Sequence, residues 1–241
     1  MPGNSDSGKA VLAIDSSNAP LRLALVCAGR VLRASRAGVK QEEYLFPAVL
    51  ALLGKAGLRL RDISRVCVLR GPGRFTGLRI GLTFAAMLRE LNGASVRAGT
   101  VFMALAYQTA RSASYLKWKT LHDGGKICVV LHAFRSEYFC QFINADGTRL
   151  SACGEPRWLN RAELLDFLAG AQFPFYCVGR AECGAALGTV LPRGYALAPE
   201  KDCRLDPAAL AEFAAGLPEA ETPVSPLYLK PARFELAAPG L

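Results

Sequence analysis

Histidine is scarce in this 241-residue sequence, and its scarcity argues against several kinds of enzyme. Only His122 and His132 are present, ten positions apart. Zinc hydrolases with an HExxH motif need two histidines on one helix face, and this pair does not have that spacing. The GxSxG motif of serine hydrolases is also missing. The sequence therefore gives no support to a peptidase.

Paired cysteine motifs and long apolar runs are missing as well. The eight cysteines include no CxxC pair, so a zinc site has no anchor. No apolar run approaches the roughly 18 residues of a membrane span. The N-terminus lacks the apolar segment of a signal peptide. We therefore expect a soluble, cytoplasmic protein with reduced thiols and without a metal site or membrane contact.

The composition itself is that of a folded protein with a basic surface. Hydrophobic residues make up 51% of the chain, and the net charge is +9. A basic balance suits nucleic acid or an acidic partner, although it carries no information about the fold. One concentration of arginines runs from Arg59 to Arg79. This segment is either a solvated surface or a contact for nucleic acid.

One order of elements is predicted twice along the chain. Each half is expected to contain three strands, a helix, a fourth strand and a second helix. The strands are predicted at Val11–Asp15, Leu21–Val26, Val31–Ser35, Arg65–Leu69, Ile127–His132, Tyr138–Ile143, Thr148–Ala152 and Phe175–Val178. Because the order repeats, we predict a duplicated α/β unit with a mixed sheet in each half.

The helix signals place the ends and the joins of these halves. Gly57 is a predicted helix stop, and Asn160 is a predicted N-cap for a helix over Arg161–Leu168. A further helix is predicted near Glu182–Leu187, and a last one begins after Asp206. The join is predicted between residues 109 and 125. The predicted domains are residues 1–110, with a disordered tail at 1–9, and residues 111–241. Residues from about 206 onward are expected to pack back on the first domain.

The segment RGPGRFTGLRIG (Arg70–Gly81) contains four glycines and leads into an apolar helix. Gly73, Gly77, Gly81 and Ala85 recur every fourth residue, which places small side chains on one helical stripe. Glycine costs a helix up to about 1 kcal/mol relative to alanine, so we expect another backbone to approach closely. That backbone belongs either to the protein's own core or to a partner, and a partner contact predicts that a leucine at Gly81 weakens association without unfolding the monomer.

Two glycine-rich segments only partly match known phosphate-binding loops. GNSDSGKA (Gly3–Ala10) ends in alanine, where the P-loop has a hydroxyl residue, and it precedes a strand. In RGPGRFTG the third glycine, Gly77, comes one position later than the dinucleotide motif requires. We therefore expect neither segment to bind a nucleotide.

Three segments together resemble the TsaB family, also called YeaZ. They are VLAIDSSNAPLRLALV, RGPGRFTGLRIGLTFAAML and SPLYLK. The resemblance implies an α/β fold of two tandem RNase H-like (actin/ASKHA-type) subdomains, each a mixed β-sheet with flanking helices. It also implies a role as a non-catalytic, stabilising subunit in the formation of N6-threonylcarbamoyladenosine in tRNA, next to the anticodon.

The partners implied by the resemblance are a catalytic paralogue of the TsaD type, an ATPase subunit of the TsaE type and tRNA bound through the complex. When alone, the chain is expected to form a homodimer. No cofactor is expected for the chain by itself, and ATP with magnesium would enter only in the complex. The glycine-rich loop and helix are the implied interface, with residues Gly71, Gly73, Arg74, Phe75, Thr76, Gly77, Arg79, Gly81, Ala85, Leu45 and Val49.

The resemblance leaves one alternative function. In actin-like proteins the first turn of each half holds nucleotide phosphates, and this turn carries Asp15, Ser16 and Ser17 here. The alternative is an active ATPase or phosphotransferase that uses Asp15. The second turn argues against it, because His132 replaces an aspartate common in the family. Two further departures, Arg74 for a common serine and Gln41 for a common histidine, lie near the implied interface.

Overall fold

A computed structural model describes residues 10–38, 40–147, 149–179, 195–221 and 223–230. The described residues belong to two compact units, the first from ranges 1–108 and 205–226, the second from ranges 109–204 and 227–241. The predicted tail at 1–9 and the predicted helix near Glu182–Leu187 lie outside the described residues. The predicted boundary at residue 110 and the return of the last segment stay predictions.

The first unit is built on a five-stranded mixed sheet. Its strands are β1 (Ala10–Asp15), β2 (Leu21–Cys27), β3 (Arg30–Arg36), β4 (Ile63–Leu69) and β5 (Ser95–Gly99). Their order in the sheet is β3-β2-β1-β4-β5. The first three strands are antiparallel neighbours, while β4 runs parallel to both β1 and β5. The register of β1 and β2 places Asp15 directly opposite Arg22.

The described helices flank the two sheets. They are α1 (Gln41–Ala56), α2 (Phe75–Asn92), α3 (Val101–Thr109), α4 (Ala113–Lys119), α5 (Arg161–Ala169) and α6 (Pro207–Ala215). Helices α1 and α2 pack against the face of the first sheet that carries Leu12 and Ile14. On the opposite face the thiol of Cys67 donates a hydrogen bond to the carbonyl of Ala214 in α6. Burial raises the pKa of Cys67 to about 11.

The second unit repeats the same sheet. Its strands are β6 (Lys126–Phe134), β7 (Glu137–Asp146), β8 (Arg149–Asn160), β9 (Phe175–Gly179) and β10 (Tyr195–Leu197). Taken from its other end, this sheet has the order β8-β7-β6-β9-β10. That order matches β3-β2-β1-β4-β5 of the first sheet strand for strand. The predicted fold class, two tandem α/β subdomains of the RNase H-like type, is therefore confirmed.

Several helix boundaries follow from local chemistry that the sequence displays. Gly57 ends α1 in the left-handed conformation, with φ of 70°. Asn160 caps α5, and Asp206 caps α6 with Pro207 in the first turn. These predictions are confirmed. The sequence missed β5, β10, α3 and α4, and α4 occupies much of the predicted join.

None of the helices in the described residues is long and apolar enough to cross a membrane.

Candidate functional site

The glycine stripe of α2 packs against the chain's own β1–β2 turn. A Cβ at Gly77 would lie 2.1 Å from the carbonyl oxygen of Ser16, and a Cβ at Gly81 would lie 2.2 Å from the Ser16 Oγ. At Gly73 it would lie 2.2 Å from the Ser17 carbonyl oxygen. These distances leave no room for a side chain. The prediction that the stripe faces a partner helix is therefore wrong for these glycines, because the backbone that approaches them is internal.

Hydrogen bonds tie the same turn to the loop before α2 and to α1. The Arg74 amide donates to the Ser17 carbonyl oxygen at 2.7 Å. The Gln41 side-chain amide donates to the Asn18 carbonyl oxygen at 2.9 Å. Gln41, at the first position of α1, thus holds this helix to the turn. The turn therefore fixes where both helices begin.

Both carboxylate oxygens of Asp15 make contacts within the chain. Its Oδ1 accepts hydrogen bonds from the Ser17 amide at 3.1 Å and from the Ser17 hydroxyl at 2.5 Å. Its Oδ2 lies 3.1 Å from Arg22 Nη1 in a buried ion pair. Asp15 is only 1% exposed. The negative charge that a magnesium ion would need is thus already balanced by Arg22.

The three candidate nucleotide-binding residues are adjacent but enclosed. Ser16 and Ser17 are buried, and Ser17 lies beneath Gly73 and Arg74. The Ser16 hydroxyl has no hydrogen-bond partner among the described residues. A phosphate group would have to displace the glycine-rich loop in order to reach this turn.

The predicted interface residues as a whole divide into a buried set and an exposed set. The buried set supports the helices from within and comprises Gly71, Gly77, Gly81, Ala85, Leu45 and Val49. The exposed set lies at the start of α2 and comprises Arg74, Phe75, Thr76 and Arg79. Gly73 is half-buried. Only the exposed set has side chains that a partner can touch directly.

The exposed set borders an open groove between α1 and α2. Its volume is about 490 Å³. The floor is apolar and includes Leu45 and Phe84, while Glu42 lies at the rim. Phe75 is 46% exposed, with the guanidinium carbon of Arg79 4.0 Å from its ring centroid.

Phe46 is a groove residue that the sequence reasoning missed. It is 43% exposed, and its ring lies edge-on to Phe84 at 6.2 Å. The signal was present, because Glu42, Phe46 and Leu50 recur every fourth residue on a stripe of α1 beside its buried face. Phe46 and Phe75 thus place two large aromatic side chains on one surface.

The arginine segment does not form one cluster, and His132 of the second turn contacts its own loop. His132 is half-exposed, with Nε2 2.6 Å from the Arg135 carbonyl oxygen. The arginine segment is split by β4, with Arg59 and Arg61 before the strand and Arg70 after it, roughly 20 Å away. Within the described residues no three His, Cys, Asp or Glu side chains are grouped so as to hold a metal ion.

Comparison with known proteins gives matches of several kinds. Residues 35–134 match the family model TsaD, described as tRNA N6-adenosine threonylcarbamoyltransferase. An 80-residue stretch is 38% identical to the tRNA threonylcarbamoyladenosine biosynthesis protein TsaB of Bacillus subtilis (strain 168). That stretch covers 32% of this chain and 35% of the Bacillus protein. The chain therefore aligns with about a third of the length of this curated relative.

Two solved structures from Pseudomonas aeruginosa share the fold over most of the chain. One is YeaZ, with a TM-score of 0.65 and 24% identity. The other is a protein with similarity to peptidase YeaZ, with a TM-score of 0.66 and 21% identity. Both comparisons cover 92% of this chain and all of the other. The chain thus has a local sequence match to a TsaB protein and shares the fold of two YeaZ-like structures.

Proposed function

We propose that the chain is a non-catalytic subunit in the formation of N6-threonylcarbamoyladenosine in tRNA. It binds the catalytic paralogue, of the TsaD type, through the groove between α1 and α2. The observation that carries this proposal is the groove itself, whose exposed Phe46 and Phe75 border an apolar floor. Exposed apolar patches rimmed by polar residues commonly mark protein interfaces, and aromatic residues dominate binding energy there.

The β1–β2 turn supports a structural role for the first unit. Its Asp15 is paired with Arg22, and the loop before α2 covers Ser17. A nucleotide-hydrolysing site of the actin type needs a carboxylate that is free to position a metal ion and backbone groups that are open to phosphate. Here the same groups hold α1 and α2 in place. The turn thus supports the two helices that form the groove. Asp15, on which the alternative ATPase function depends, is already engaged in this structural contact.

The proposed function is tested first in cells. We expect depletion of the chain to lower N6-threonylcarbamoyladenosine in tRNA, and we expect wild-type chain to restore it. Mass spectrometry of digested tRNA measures the modified nucleoside. Unchanged modification after complete depletion would contradict a role in this process.

A second experiment separates the subunit from the ATPase. Calorimetry of the isolated chain with magnesium and ATP is expected to show no saturable heat, and no phosphate should be released. Micromolar binding with turnover would instead favour the alternative. The catalytic paralogue, titrated into the same preparation, is expected to bind and provides the positive control.

A further inference from the structure

Cys153 differs from most thiols of this chain because solvent can reach it. Among the described cysteines, Cys153 and Cys27 are partly exposed, whereas the others are buried, namely Cys67, Cys128, Cys140, Cys177 and Cys203. Cys153 lines an open cavity of about 430 Å³ beside α5. Hydrogen peroxide is small enough to enter such a cavity, so Cys153 is accessible to this oxidant.

A bulge in β8 puts the thiol in this position. Cys153 pairs with Phe142 of β7, but the next paired residue of β8 is Arg157, opposite Cys140. The intervening residues loop out of the ladder, and Gly154 adopts a φ of 81°. Cys153 therefore lies at the edge of a break in the sheet, beside the cavity.

A lysine amine lies against this sulfur. Lys126 Nζ is 2.8 Å from Cys153 Sγ and 3.8 Å from the centroid of the Phe173 ring. No carboxylate among the described residues forms an ion pair with Lys126. The aromatic ring and the sulfur thus hold the nitrogen in place. Phe173 and Cys153 both line the cavity.

We propose that peroxide joins Cys153 and Lys126 through a covalent sulfur–nitrogen bond. The Cys153 sulfur first attacks one peroxide oxygen, so that an S–O bond forms and the O–O bond breaks. The departing hydroxide takes the thiol proton and leaves as water. Sulfur has then lost two electrons and carries a hydroxyl, as a sulfenic acid.

The second step needs no further oxidant. The Lys126 ammonium releases a proton to solvent, and its nitrogen attacks the sulfur. The N–S bond forms as the S–O bond breaks, and the hydroxyl leaves as water with another proton from the nitrogen. A sulfenic acid condenses in this way with a nearby nitrogen or thiol. No described thiol contacts Cys153, so the lysine nitrogen is the side-chain nucleophile in reach.

Cys27 provides a matched control within the same chain. It is also partly exposed, but no lysine lies within hydrogen-bond distance of its sulfur among the described residues. Peroxide should oxidise Cys27 as well, without forming a link to an amine. The difference between the two thiols then isolates the effect of Lys126.

The experiment uses the full chain, treated with hydrogen peroxide and digested with a protease that does not cut at lysine. Mass spectrometry should find the Cys153 and Lys126 peptides linked, lighter than their sum by two hydrogens. Dithiothreitol should release them. Lys126→Arg keeps the cation beside Phe173 but lacks the amine, so the link should fall below detection. Cys27→Ser should retain it.

Dimedone, which labels sulfenic acids, gives an independent readout. It should label Cys153 more strongly in Lys126→Arg than in the wild type, because the acid is no longer captured. Circular dichroism melting checks that both variants are folded. Equal labelling of Cys153 in the two proteins, or a wild-type Cys153 that is oxidised without any link, would overturn the proposal. The inference does not depend on the proposed function.

Discussion

Gly77 has no room for a side chain, because the carbonyl oxygen of Ser16 lies where its Cβ would be. We predict that Gly77→Ala lowers the free energy of unfolding by about 1–3 kcal/mol, as expected for overpacking. Gly54, on the open side of α1, is the matched control, since nothing lies within 4 Å of its missing Cβ. Gly54→Ala should stabilise the chain by up to about 1 kcal/mol.

Urea denaturation of both variants measures these opposite effects. An alanine at Gly77 that is as well tolerated as one at Gly54 would contradict the internal packing of the stripe. By the same reasoning a leucine at Gly81 should unfold the monomer, because the Ser16 hydroxyl occupies that space.

The buried pair of Asp15 and Arg22 makes a second prediction at the residue scale. Asp15→Asn leaves the Arg22 guanidinium buried without its counter-charge, and breaking such a pair costs about 3–5 kcal/mol. The exposed pair of Lys40 and Glu43 is the control, because Glu43→Gln should change stability by less than about 1 kcal/mol. Denaturant midpoints measure both. Similar small losses in the two variants would show that the Asp15 pair does not hold the turn.

At the scale of elements, the cap of α5 makes a separate prediction. The Asn160 side chain accepts a hydrogen bond from the Glu163 amide, and the Glu163 carboxylate accepts one from the Asn160 amide. Asn160→Ala should therefore destabilise the second unit by about 1 kcal/mol. Hydrogen exchange of the α5 amides measures the loss, with the neighbouring exposed Arg161→Ala as control. Unchanged exchange in Asn160→Ala would contradict the role of the cap.

The elements that could be predicted from sequence are those with a local chemical signal. Short apolar runs revealed β1 and β2, and Gly57 and Asn160 marked helix ends. Strand β5 was missed because Arg97 and Gly99 interrupt its apolar pattern. Helix α4 was missed because its seven residues are too few to display a helical period. Such short elements depend on contacts that are distant in sequence.

The candidate site was predictable in part for the same reason. The spacing of Gly73, Gly77 and Gly81 predicted a close backbone contact, but it did not indicate which backbone makes that contact. The answer depends on the position of Ser16, which is far away in sequence. The role of Arg22 was equally hard to predict, because its pairing with Asp15 follows from the register of two strands.

At the scale of the whole molecule, each sheet has the same strand order, but the exposed aromatic groove between α1 and α2 belongs to the first unit. The covered turn contacts α1 and α2 from within, and the outer side chains of both helices are left for a partner. The central claim is that Phe46 and Phe75 contact the catalytic paralogue. A suitable control is Leu121, which is 75% exposed in the second unit.

The most direct measurement is the Kd of the chain for its catalytic paralogue by calorimetry, for wild type, Phe75→Ala and Leu121→Ala. A central interface aromatic contributes about 2 kcal/mol or more when truncated, which corresponds to roughly thirtyfold in Kd. We predict a weakening of that size for Phe75→Ala, with melting curves like the wild type, and no change for Leu121→Ala. Equal Kd values for all three proteins would contradict the assignment of the groove as the partner-binding surface.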